Sequence, residues 1–225
     1  MIAKFPYGEA LVQLPADDSA SPGLKPQRFK HRLHELPLFS DDALIGLLDR
    51  YPRERIQVFT MGTDPTCSED WASVEKGNAS GAELLQAVRQ GRLWINVVRV
   101  QADDSPLADL VQRVYGELRE LRPQFRPDGI TSTLLISSPQ AQVYYHVDGP
   151  ANLLWHIRGR KRLFVYPPVL PYLSRERLED IFANVVGEEM RYDPSWDHDA
   201  VVIDLDPGDW AAWPHNSPHR VENLG

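Results

Sequence analysis

Cysteine is nearly absent. Cys67 stands alone in 225 residues, so no internal disulfide can form and nothing calls for an oxidising compartment. Long apolar runs are missing too: no stretch approaches the roughly 18 to 20 apolar residues that a membrane-spanning helix needs. The N-terminal MIAKFPYGEALVQLP has no apolar core of the kind a secretory leader carries. A cytoplasmic chain without membrane association is the expectation. Positive charge is in deficit, with 24 Lys and Arg against 32 Asp and Glu and a formal charge of −8. That balance argues against a broad electrostatic grip on nucleic acid, whose binding depends on neutralising phosphates, while an acidic protein can attract a basic peptide. There are no repeats, low-complexity tracts or charge blocks. What is present, 42% hydrophobic and 25% charged residues, is the composition of an ordinary globular chain with a core.

The first half reads as helices among a few strands. EALVQL is a short strand candidate, followed by a Pro/Ser/Asp-rich stretch that reads as loop. Ser40 caps a helix with Asp41 and Asp42 in its first turn and Leu44, Leu47 and Leu48 on its apolar stripe, ended by Tyr51-Pro52. RIQVFTM at 55 to 61 and LWINVVRV at 93 to 100 read as strands. SGAE at 80 to 83 is a capping box that opens a second helix, stopped at Gly91. Ser105-Pro106 opens the strongest helix, with Leu107, Leu110, Val111, Val114, Leu118 and Leu121 at three-and-four spacing. From about residue 130 the texture changes to short β segments, STLLISS, QVYYHVD, ANLLWHIR, KRLFVYP, AVVIDL and DWAAWP, with a helical insert near 174 to 185. Short antiparallel strands joined by tight turns suggest a sandwich or jelly-roll barrel.

Within these segments, His146 and Asp148 are two apart in a strand and therefore share one face, about 7 Å apart at Cα. Alone, such a pair fits a solvated strand face as well as a site. ANLLWHIR and KRLFVYP leave Gly159-Arg160 between them, which predicts a two-residue hairpin pairing Arg158 with Lys161 and His156 with Leu163. In that register Asn152, Leu154, His156, Arg158 and Lys161 share one face, and Leu153, Trp155, Ile157, Arg162 and Phe164 the other. A polar set on a covered face needs partners. Near the end, PGDWAAWPHNSPHRVEN leads through a Pro-punctuated loop to His215 and His219. Two histidines and one carboxylate from different strands make the facial triad that holds Fe(II) and leaves three coordination positions open.

The ordered set of His146-x-Asp148, Asn152, GRKRLFVYPP with Lys161, and PGD…WP followed by His219 and VEN resembles the JmjC-type, cupin-like oxygenases that depend on Fe(II) and 2-oxoglutarate. The resemblance covers roughly residues 130 to 225. It implies a mainly β fold with flanking helices (α+β), a double-stranded β-helix or jelly-roll barrel. It implies one domain over 1–225, with helices and flanking strands over 1–129 and the barrel core with its metal site over 130–225. The implied metal ligands and catalytic residues are His146, Asp148 and His219, and the implied cosubstrate residues are Lys161, which would pair with the far carboxylate of 2-oxoglutarate, Asn152, and Tyr145 through its hydroxyl. Fe(II), 2-oxoglutarate and O₂ are the implied cofactors, and hydroxylation of a C–H bond in a peptide side chain or small molecule is the implied reaction. His219 is preferred over His215, a loop or rim residue, because it precedes VEN as the distal ligand does in the family. His156 reads as a packed core histidine; His31, His34 and His198 read as surface residues.

The sequence departs from the family pattern in two places. Many members carry a threonine or serine three residues before the first ligand, contacting the cosubstrate carboxylate; here Val143 stands there, and Tyr145, Ser137 or Thr133 is left to supply a hydroxyl. The sequence also ends six residues after His219, where the family continues into a further strand and often into helices that dimerise. Either the sequence is a shorter piece of that module or the N-terminal strands supply the missing wall, and a homodimer is among the expected partners. Two other classes share the barrel, a Zn(II) or Mn(II) cupin isomerase or lyase and a non-enzymatic sensor. Lys161 and Asn152 favour the oxygenase over the cupin enzyme, whereas Val143 favours the sensor.

Overall fold

The computed structural model describes residues 9–15, 21–102 and 105–225. Residues 1–8 of the segment read for a leader and residues 16–20 of the loop read after EALVQL lie outside the described residues. In chain order the elements are β1 (Val12–Gln13), β2 (Gln27–His31), α1 (Asp41–Arg50), β3 (Ile56–Thr60), β4 (Ala72–Val74), α2 (Gly81–Gln90), β5 (Leu93–Val97) and α3 (Pro106–Leu121). They continue with β6 (Leu134–Ser137), β7 (Gln142–His146), β8 (Leu153–Trp155), β9 (Lys161–Val165), α4 (Arg175–Phe182), β10 (Val201–Leu205), β11 (Asp209–Ala212) and β12 (His219–Asn223).

The helices begin where capping chemistry starts them. Ser40, Ser105 and Ser174 each accept a hydrogen bond from a backbone N–H in the first turn, and Ser80 with Glu83 closes a full capping box. Sixteen residues of α3 then bury Leu107, Leu110, Val114 and Leu118 along one stripe.

The strands form three antiparallel sheets, ordered β1-β2-β11-β8, β4-β3-β5-β6 and β10-β9-β12-β7. Among the described residues they do not close into the expected barrel. Side-chain alternation shows how the sheets are layered. In β11, Trp210 and Ala212 join the apolar cluster formed with α1, α2 and α3, while Ala211 and Trp213, just beyond its end, join a second cluster with Leu163, Val165 and Val221. In β9, Leu163 and Val165 face that second cluster, while Phe164 and Tyr166 face a third, built from aromatics with Tyr145 and Tyr192. The second cluster therefore lies between the first and third sheets, and it forms the floor of the site.

Three local expectations are corrected. The segment Gln27–His31 is a strand rather than loop, pairing with β11 through Phe29↔Trp210 and stacking those rings at 4.5 Å. β8 and β9 do not form a hairpin. β8 pairs with β11, β9 pairs with β10 and β12, and residues 156 to 160 cross from one sheet to the other with Gly159 at φ 73°. Leu154 nevertheless packs on the cluster that holds Leu163 and Val165 of β9, while Arg158 bonds Asp41 and the Phe39 carbonyl beside α1. His31 is buried, not exposed. Its Nε2–H is shared between the His156 and Asp209 carbonyls at 3.0 Å each, and its Nδ1 accepts from Leu33 N–H.

A candidate metal centre and the polar group behind it

The distal histidine opens β12, and the register pairs it with the last residue of β7, His219↔His146. Two residues on, Val221 pairs with Val143, so β7 spends three residues where β12 spends two. This is a β-bulge, and it resets the alternation of β7. Val143 and His146, three apart, both face inward, whereas Tyr145 faces the outer aromatic cluster. The assignment of Tyr145 to the cosubstrate is corrected accordingly. Its ring is fully buried and its hydroxyl donates to the Tyr172 carbonyl at 2.9 Å, on the far side of the sheet from the cleft.

The ligand atoms of His146, Asp148 and His219 all lie within 4.8 Å of one another. Asp148 Oδ2 is 3.0 Å from His219 Nε2, Oδ1 is 3.6 Å from His146 Nε2, and the two imidazole centroids are 4.2 Å apart. Each ring is pinned through its other nitrogen: Nδ1–H of His146 donates to the Tyr144 carbonyl at 2.7 Å, and that of His219 to the Ser217 carbonyl at 3.1 Å. A carbonyl only accepts, so in the neutral rings both Nε2 lone pairs point at the carboxylate. Lone pairs facing an anion repel unless a cation sits among them. The donor set fits a divalent ion, since with bonds of about 2.1 Å adjacent ligand atoms lie about 3 Å apart. Without the ion a proton takes that place. Burial works to raise the Asp148 carboxyl, but hydrogen bonds from both histidines outweigh it and hold the group far below the usual carboxylate range. Burial and the neighbouring His146 depress His219.

Trp213 packs on the His219 ring at 4.8 Å, and Leu154, Val143 and Val221 line the apolar floor. Asn152 lines the cleft, and among the described residues its side chain makes no hydrogen bond. His215 is at the rim, bonded to the Gly149 carbonyl at 2.7 Å, and His156 is a core histidine bonded to the Gly159 carbonyl at 2.9 Å. His34 and His198 are exposed.

Lys161 enters the same cleft from β9. Its ammonium lies 5.0 Å from the Trp94 ring centroid, 3.2 Å from Ser137 Oγ and against Asn223 Oδ1. No carboxylate among the described residues pairs with it, and burial pushes its pKa down to about 8. Asn223 was not singled out as a site residue from sequence, although alternation from His219 through Val221 places it on the inward face, opposite Lys161 in the register.

No family model and no curated protein sequence matches the chain. Solved structures of Escherichia coli YcfD do. One X-ray structure aligns with a TM-score of 0.62 at 19% identity, covering 96% of this chain and 51% of that one. A second, described as YcfD, a ribosomal oxygenase, in complex with cobalt and succinic acid, aligns with a TM-score of 0.60 at 18% identity. The chain thus shares the fold of YcfD over nearly its whole extent and spans about half of that protein's length.

Proposed function

We propose that the chain is an Fe(II)- and 2-oxoglutarate-dependent oxygenase that hydroxylates a C–H bond of a peptide side chain or small molecule. The observation that carries this reading is Lys161, a buried ammonium with no anionic partner, lining one cleft with a three-ligand set that needs a cation. A diacid that chelates the metal at one end and meets an ammonium at the other satisfies both needs. A cupin isomerase or lyase has no use for the second. YcfD, whose fold this chain shares, has been observed with cobalt and succinic acid, and succinate is what 2-oxoglutarate becomes on losing CO₂ and taking up one oxygen atom.

In this reading His146, Asp148 and His219 would hold iron through their Nε2 and carboxylate atoms. Iron, when bound, would supply dioxygen activation coupled to oxidative decarboxylation of 2-oxoglutarate, one oxygen atom going to succinate and the other to the hydroxylated product. The protein contributes position and environment. The Tyr144 and Ser217 carbonyls fix the imidazole tautomers, while in this reading Lys161 would neutralise the far carboxylate and Asn152 would hydrogen-bond the cosubstrate. Trp213, Leu154 and Val143 exclude water from the floor.

The test is anaerobic addition of Fe(II) and 2-oxoglutarate, followed by oxygen. We expect a weak visible charge-transfer band that bleaches on oxygenation, and succinate formed in the absence of substrate. His146→Ala and His219→Ala should each abolish both signals. Metal binding with no band points to a cupin metal enzyme, and no metal affinity to a sensor.

A further inference from the structure

Hydrogen-bond donors around Lys161 can be counted, and the count leaves a remainder. The Asn223 amide is oriented by the Ser138 carbonyl, which only accepts, so Nδ2 faces it and Oδ1 faces Lys161. Both Nδ2 hydrogens are then spent, one on Ser138 O and the other on Ser137 Oγ at 2.9 Å. Ser137 Oγ accepts from Asn223 and from Lys161, which uses both its lone pairs and leaves its hydroxyl hydrogen to give. Lys161 has spent two of three N–H groups, on Asn223 and Ser137. Two donors remain, one on Ser137 and one on Lys161, on atoms 3.2 Å apart in the cleft. A pair of adjacent donors, one of them charged, matches the two oxygens of a carboxylate.

The same location lacks what the family pattern supplies elsewhere. Val143, three residues before the first ligand, faces inward through the β7 bulge but brings only methyl groups, packed against Val221. We infer that Ser137 donates the second hydrogen bond to the far carboxylate of the diacid in place of that missing hydroxyl. Asn223 is the positioning residue that holds Lys161 and Ser137 in register for it. Of the three hydroxyls open at the sequence level, Tyr145 faces the other side of the sheet, and of the other two Ser137 is the one bonded to Lys161 among the described residues. This inference rests on the 2-oxoglutarate reading above and adds the groups that recognise the diacid's far end.

The experiment is anaerobic calorimetry on the Mn(II)-loaded chain, titrating 2-oxoglutarate and, in parallel, 2-oxovalerate, which keeps the chelating end and replaces the far carboxylate by a methyl group. Ser137→Ala should weaken 2-oxoglutarate by about tenfold or more, the usual effect of one hydrogen bond to a charged group, and leave 2-oxovalerate and Mn(II) affinity unchanged. Val143→Thr added to Ser137→Ala should recover most of the loss. Asn223→Asp, of the same shape, should pair Lys161 internally and abolish the preference for the diacid. Thermal melts of each variant report folding separately. Equal losses for both keto acids, or wild-type affinity in Ser137→Ala, overturn the clamp while the oxygenase reading stands. Failure of the wild-type chain to bind 2-oxoglutarate at all overturns that reading and the clamp with it.

Discussion

Both nitrogens of His31 are committed, Nε2–H to two carbonyls and Nδ1 to the Leu33 N–H, so a second proton would break a buried bond. Burial is the main cause of a pKa drawn from an ordinary 6.5 to about 4. The unfolded chain therefore takes up a proton at a higher pH than the native one. Stability from this residue is complete above pH 6.5 and declines as pH falls from there to about 4, by about 3 kcal/mol in all. Urea midpoints of wild type and His31→Gln should converge across that window. At Lys161 the sign concerns binding: above pH of about 8 the ammonium is lost, so the 2-oxoglutarate dissociation constant should rise with pH while that of 2-oxovalerate does not. Lys161→Ala should raise the 2-oxoglutarate requirement and leave metal binding intact, as calorimetry would show. The family resemblance carried by the ordered motifs singled out His146, Asp148, His219 and Lys161; spacing alone put His146 and Asp148 on one strand face and went no further. Asn223 was overlooked because VEN served only to locate His219. His31 was read as exposed because its partners are carbonyls of residues 156 and 209, over a hundred positions away.

Elements with local signals were legible. Serine caps, the capping box and the apolar stripe of α3 are written in short stretches, and those helices start where they say. What could not be read was long-range pairing. Gly159 suits a tight turn, yet β8 and β9 part to different sheets because each finds its partners elsewhere in the chain. The β7 bulge is equally silent, since it is defined by two residues of β12 facing three of β7. It determines the fate of Tyr145. Tyr145→Phe should cost about 1 kcal/mol through the lost bond to the Tyr172 carbonyl and leave 2-oxoglutarate affinity unchanged, a pair of results that denaturation and calorimetry would check.

For the molecule as a whole, β11 shares its backbone bonds with β2 on one side and β8 on the other, and its end delivers Trp213 to the His219 ring. Deleting residues 1–31 should therefore expose Trp210 and abolish metal binding along with near-ultraviolet circular dichroism, although every proposed ligand remains. Ser137 belongs to the β4-β3-β5-β6 sheet, Lys161 and Asn223 to the one that carries both histidine ligands, and among the described residues no strand of either pairs with the other. A diacid seated on that junction would rivet two panels that are joined by the short turn from β6 to β7 and, among the described residues, by no strand pairing. At a hundred times its dissociation constant it would add about 2.7 kcal/mol to folding, so occupancy would be readable as resistance of the panels to sliding apart.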